Sequence, residues 1–155
     1  ANNAGPDRLP PATPRVRLVD YEVNAIDLFD EYLLMAPAYS IPRLLARHGL
    51  TYEDVGLWEI HEAFAAQLAT HIKALQDPKF LKDKAKVTAK LGPFPRDRVN
   101  PNGGSTALGH PFGATGARIL SQAVKELAAM PAGTYAIVSI CADGGQGTVA
   151  LLRNG

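Results

Sequence analysis

A chain of 155 residues, 46% hydrophobic and 20% charged, is long enough to bury the core of one ordinary domain and too apolar to be disordered. A formal net charge of +1 offers no basic face to nucleic acid or to an anionic membrane. The longest apolar runs, such as residues 135–141, fall far short of a membrane span.

In chain order, residues 1–14 are rich in Pro, Asn and Gly, lack an initiator Met, and read as a linker or disordered tail. The expectation is a chain that begins inside something longer and ends where its gene ends. Residues 15–24 alternate polar groups with Val16, Leu18 and Val23, which predicts a strand. A short helix is expected from Ser40, with Pro42 in its first turn and Gly49 as its stop. Residues 55–60 read as a buried strand. The segment "HEAFAAQLATHIKALQ" follows at once, with Phe64, Leu68, Ile72 and Leu75 at helical spacing on one face. Residues 77–99, rich in Lys and Pro, read as an irregular surface excursion. A glycine-rich loop comes next, and from about Gly113 a second helix carries Ile119, Leu120, Val124 and Leu127. Two strands joined by "ADGGQ" predict an antiparallel hairpin at the end. This order implies an α/β layered domain with a mixed sheet.

Cys141 is the only cysteine, so no internal disulfide or Cys-pair metal site is possible, and a reducing cytoplasm is the expected compartment. With no charged-then-apolar leader, nothing marks export. His48, His61, His71 and His110 lack zinc-type spacing, so no metal is expected. His61 follows a strand end, Cys141 closes another, and His110 precedes a helix. In α/β sheets, ligands meet the protein at such ends. Taken singly, each residue reads as structural. The stretch "GHPFGATG" is harder to explain that way, because glycines cost conformational entropy unless the backbone must bend or approach something closely. A phosphate cradle is disfavoured: GxxxxGK[ST] is absent, the spacing of Gly109, Gly113 and Gly116 misses GxGxxG, and no apolar strand feeds the loop.

"HEAF" (61–64), "NGGSTALGHPFGATGAR" (102–118) and "CADGGQG" (141–147) together resemble the C-terminal half of a thiolase. The three motifs stand in that family's order, and the resemblance covers residues 15–153. His61, where most thiolases have Asn, is similar to the β-subunit of the fatty-acid-oxidation trifunctional complex and its bacterial relatives. The resemblance implies a thiolase-like half, a layered mixed sheet with helices on both faces, spanning residues 15–155. The first strand and helix of that half are unmatched upstream of Arg15.

The resemblance also implies an activity. A 3-ketoacyl-CoA is cleaved with coenzyme A as cosubstrate, giving acetyl-CoA and a shortened acyl-CoA, with no covalently bound cofactor. His110 would activate the nucleophile and help bind the thioester oxygen. Cys141 would be the acid/base at the acetyl carbanion, and His61 would serve the first oxyanion hole. The backbone N–H of Asp143 falls where a family glycine helps form the second hole. That replacement questions the local geometry if a positive φ is needed there. Met35 and Phe112 are candidates to line an acyl tunnel, with core packing as the rival reading.

The nucleophilic cysteine of thiolases lies in the N-terminal half, which is expected as the missing partner, so the chain alone is expected to be inactive. A homo-oligomer and an α-subunit of β-oxidation are further expected partners of the parent. Two rivals remain: a ketoacyl synthase-type condensing enzyme, against which Cys141 argues, and a stand-alone acyl-CoA-binding or interaction domain.

Overall fold

The computed structural model describes residues 15–155, and the linker expected over residues 1–14 lies outside them. The elements run β1 (Val16–Ala25), α1 (Ala36–Arg47), β2 (Val55–Ile60), α2 (Ala65–Leu75), α3 (Ser105–Leu108), α4 (Phe112–Ala128), β3 (Tyr135–Ala142) and β4 (Gln146–Asn154). The strands form one mixed sheet in the order β1-β4-β3-β2. β2 and β3 are parallel, while β3–β4 and β4–β1 are antiparallel.

Side-chain alternation along the central strands divides the core between two faces. Ile137 of β3 and Val149 and Leu151 of β4 pack with Ile41, Leu44 and Leu45 of α1 and Ile72 and Leu75 of α2. Ala136, Val138 and Leu152 point the other way and meet Ile119, Ala123 and Leu127 of α4. The expected helices therefore lie on both faces of the sheet. β1 is an edge strand. Its Asp20 and Glu22 pair with Arg43, Arg47 and His48 at the end of α1, while Leu18, Tyr21 and Val23 stay exposed.

Three local expectations need correction. α1 begins at Ala36, with Pro37 in its first turn, and Pro42 lies inside the helix. The missing N–H of Pro42 forfeits one bond, but Met35 to Leu45 are nearly all buried, and that burial outweighs the loss. α2 begins at Ala65, because residues 61–64 are outside the helix and the extended Phe64 is its cap. Residues 77–99 are no surface excursion, since Ala85, Val87, Leu91 and Phe94 enter the core beside Trp58 and Tyr52. A π-helical turn (Phe80–Lys84) and a short 3-10 turn (Arg96–Arg98) shape that segment.

Candidate active site

The glycine-rich loop is stitched to the end of β2 by one side chain. Asn100 accepts from Ile60 N–H through Oδ1 at 2.8 Å and donates to the Ile60 carbonyl through Nδ2 at 2.9 Å. Asn100 sits at φ +46°, in the left-handed region that Asn tolerates better than most residues. Its Nδ2 also donates to Glu62, and the Glu62 carboxylate accepts in addition from Thr106 N–H and Oγ1. Burial alone would raise the Glu62 carboxyl, but the Thr106 and Asn100 hydrogen bonds outweigh it and hold the group below its ordinary value. The link 61–64 and the loop 100–106 are thus clamped together.

That clamp places two imidazoles side by side. The rings of His61 and His110 lie 4.3 Å apart between centroids, tilted by 50°. Gly109, at φ +92°, ends α3 and turns the chain immediately before His110. Pro111 then caps α4. Both histidines line one cavity of about 530 Å³, together with Cys141, Ala142 and Asp143 from the end of β3. Phe112, at the start of α4, is 86% exposed and its ring lies 4.6 Å from that of His110. Met35 does not line this cavity. It is buried against Ala38, Tyr39 and Ala74, and its neighbours Leu33 and Leu34 form the wall instead.

Burial shifts two of the groups that line the cavity, Cys141 and His61. The Cys141 thiol, only 6% exposed, is pushed up to about 11 by burial. His61 is pushed down to about 4, by burial first and then by the neighbouring His110 and Arg118. Asp143 keeps an ordinary backbone. The positive φ values of this turn fall at Gly144 and Gly145, so no glycine is required at Asp143. Its carboxylate accepts from the Gly144 N–H at 2.8 Å.

Supporting side chains escaped the sequence reading. Thr115 Oγ1 lies 2.7 Å from His110 Nδ1 and donates to the Pro111 carbonyl at 3.1 Å. Ser105 Oγ lies 3.0 Å from His61 Nδ1 and accepts from Arg118 Nη2 at 3.1 Å. A second chain runs from Ala63 N–H to Gln67 Oε1, from Gln67 Nε2 to His71 Nδ1, and from His71 Nε2 to the carbonyl of Leu34 at 2.7 Å. It fixes the cavity wall at Leu34, a non-glycine residue at φ +72°. Gln67 and His71 fall four residues apart on α2, a spacing that marks a shared helix face and was the available signal. Nothing in the sequence pairs Ser105 with His61. Among the described residues no cluster of three or more His, Cys, Asp or Glu is arranged to hold a metal. No described helix is long and apolar enough to cross a membrane.

Comparison with known proteins agrees with this layout. The family described as thiolase, C-terminal domain, matches residues 12–154. A probable 3-ketoacyl-CoA thiolase of Caenorhabditis elegans is 43% identical over 90% of this chain and 31% of its own length. The mitochondrial trifunctional enzyme subunit beta of Bos taurus is 40% identical over 90% of this chain and 29% of its own length. The Acat5 thiolase of Ascaris suum, solved in complex with coenzyme A, superposes with a TM-score of 0.72 at 32% identity, covering 98% of this chain and 33% of that one. The chain thus spans about a third of the length of the curated relatives it matches. By its three motifs, its mixed sheet and this match over nearly its whole length, the chain belongs to the thiolase C-terminal domain family.

Proposed function

We propose that this chain supplies one wall of a thiolase site that cleaves a 3-ketoacyl-CoA with coenzyme A. The observation that carries the reading is the convergence of His61, His110 and Cys141 on one cavity, with the two imidazoles 4.3 Å apart. Cys141 is the chain's only cysteine, and a thiol held near 11 remains protonated at neutral pH. Such a group suits donation of a proton to a carbanion and is a poor nucleophile. The attacking thiol would come from a companion half outside this chain.

The chemistry then divides among the residues as follows. The Thr115 hydroxyl, donating to Pro111, accepts from His110 Nδ1–H and leaves Nε2 as the base. Nε2 takes the proton of the companion thiol as that sulfur attacks the 3-keto carbon. The C2–C3 bond breaks, its electron pair passes to C2, and C2 takes the proton of Cys141. Coenzyme A then attacks the acyl thioester. Its thiol proton goes to the Cys141 thiolate, and His110 returns its proton to the departing sulfur. Neutral His61 faces the oxygen on which charge develops. Phe112 and Phe64 flank the entrance with apolar surface suited to an acyl chain.

The exposed apolar side chains Leu18, Tyr21 and Val23 of β1, with Leu120 and Val124 of α4, offer a face on which the companion half can pack. The subunit name of the bovine relative makes an α-subunit a further proposed partner of the parent protein. In the protein reconstituted with its companion half, His110→Ala and Cys141→Ala should each abolish 3-ketoacyl-CoA thiolysis with the fold intact. The chain alone should show none. Parental rates in either variant, or thiolysis by the chain alone, would refute the assignment.

A further inference from the structure

We infer that Ser105 and Arg118 are positioning residues that fix His61 as a neutral hydrogen-bond donor, with Nδ1 bare and the proton on Nε2. The inference rests on the thiolase reading for its purpose, but its argument is local. Ser105 is the first residue of α3, and Arg118 lies on the second turn of α4. Arg118 Nη2 is 3.1 Å from Ser105 Oγ, which in turn is 3.0 Å from His61 Nδ1. A guanidinium has donors and no acceptor, so the Ser105 oxygen must accept from it. Ser105 is 6% exposed, and a buried hydroxyl proton needs a partner. The ring nitrogen at 3.0 Å is that partner, so Ser105 donates and His61 Nδ1 accepts.

A neutral imidazole accepting at one nitrogen carries its proton on the other. His61 is 1% exposed overall, and it lines the cavity that holds His110 and Cys141. The remaining Nε2–H is therefore the group offered to a developing oxyanion. Arg118 contributes in a second way, because its charge disfavours the doubly protonated ring and keeps His61 neutral, after burial and His110. Successive donors polarise one another, so the cation strengthens the Nε2–H while staying out of the cavity itself. Lysine at 118 would keep the charge but lose the planar fork that aims Nη2 at Ser105.

The test has a direct and a kinetic arm. In histidine-15N-labelled protein, the His61 signal, assigned with a His61→Gln variant, should show a protonated Nε2 and an unprotonated, hydrogen-bonded Nδ1. A proton on Nδ1 overturns the inference. In the enzyme complete with its companion half, Ser105→Ala should lower kcat by about 10- to 100-fold with KM little changed. That is less than the roughly 100- to 1,000-fold cost of deleting an oxyanion donor outright. Ser105→Thr, which restores a hydroxyl, should recover most of the loss. An unchanged kcat in Ser105→Ala, or no recovery in a folded Ser105→Thr, also overturns it. The tautomer measurement needs no turnover, so a failure of the thiolase reading would leave this arm standing on its own.

Discussion

The carboxamide of Asn100 occupies both backbone hydrogen-bonding groups of Ile60, standing in for a neighbouring strand at the last residue of β2. The pairing is local, yet it sets the position of His61, the next residue. Asn100→Asp removes both Nδ2 donations and places a second carboxylate against Glu62. It should destabilise the domain by about 3 kcal/mol, read as a lowered denaturation midpoint. A variant as stable as the parent would show that the stitch contributes nothing.

The loop's glycines should separate into two groups. A Cβ at Gly104 would stand 2.3 Å from Glu62 Cδ, so Gly104→Ala must displace the clamp on Thr106 and Asn100. A loss of about 1–3 kcal/mol is expected. Gly113 has open space around its Cβ position and lies in the first turn of α4. Gly113→Ala should therefore stabilise by roughly 0.5–1 kcal/mol. Thermal melts of the two variants should move in opposite directions.

Stability should fall in mild acid. His61 and His71, both buried, are held down to about 4, whereas in the unfolded chain each takes a proton at about 6.5. Between those values the unfolded state binds more protons, so stability drops as pH falls from about 6.5 towards 4. Glu59 opposes this. Burial, reinforced by Glu126, pushes it up to about 7, so the folded state holds a proton the unfolded state lacks down to about 4.5. Glu59→Gln should steepen the acid loss, and His71→Asn should flatten it. Denaturant titrations from pH 7 to 4 check both slopes, and parallel curves for all three proteins would contradict the account.

Cys141 should be a slow thiol. At about 11 it carries roughly 100-fold less thiolate at neutral pH than an ordinary cysteine, and it is 6% exposed besides. Alkylation should be at least 100-fold slower in the native chain than after unfolding. Since no other cysteine is present, the stoichiometry by intact mass reports this residue alone. Equal rates before and after unfolding would remove the basis for its role as a proton donor.

What was legible in the sequence followed periodicity. β1 read out by alternation, β2 and β3 as short apolar runs because both their faces are covered, and α4 by its apolar stripe because it buries one regular face. Phe64 misled for the same reason: it continues the helical spacing of Leu68 and Ile72, but the chain is extended there and the ring flanks the cavity. Burial overrode the proline signal at Pro42. At the site, His61, His110 and Cys141 were legible as reactive types at element ends. Ser105, Thr115 and Arg118 were not, because a hydroxyl or guanidinium acquires its meaning only from its distance to a ring nitrogen or to its relay. His71 looked like any histidine on a helix until the carbonyl of Leu34 came within 2.7 Å.

The strand order has a consequence for how the chain is made. β1 and β2 are the outer strands of the sheet, and each finds its strand partner in the hairpin that follows them, Val16 with Asn154 and Ile60 with Ser139. Within the described sheet, the partners of the first two strands are therefore the last strands to be made. The ion pairs that tie β1 to α1 are the early contacts open to it. The pairings that complete the sheet join residues more than a hundred positions apart for β1, a high contact order that slows folding for a domain of this size.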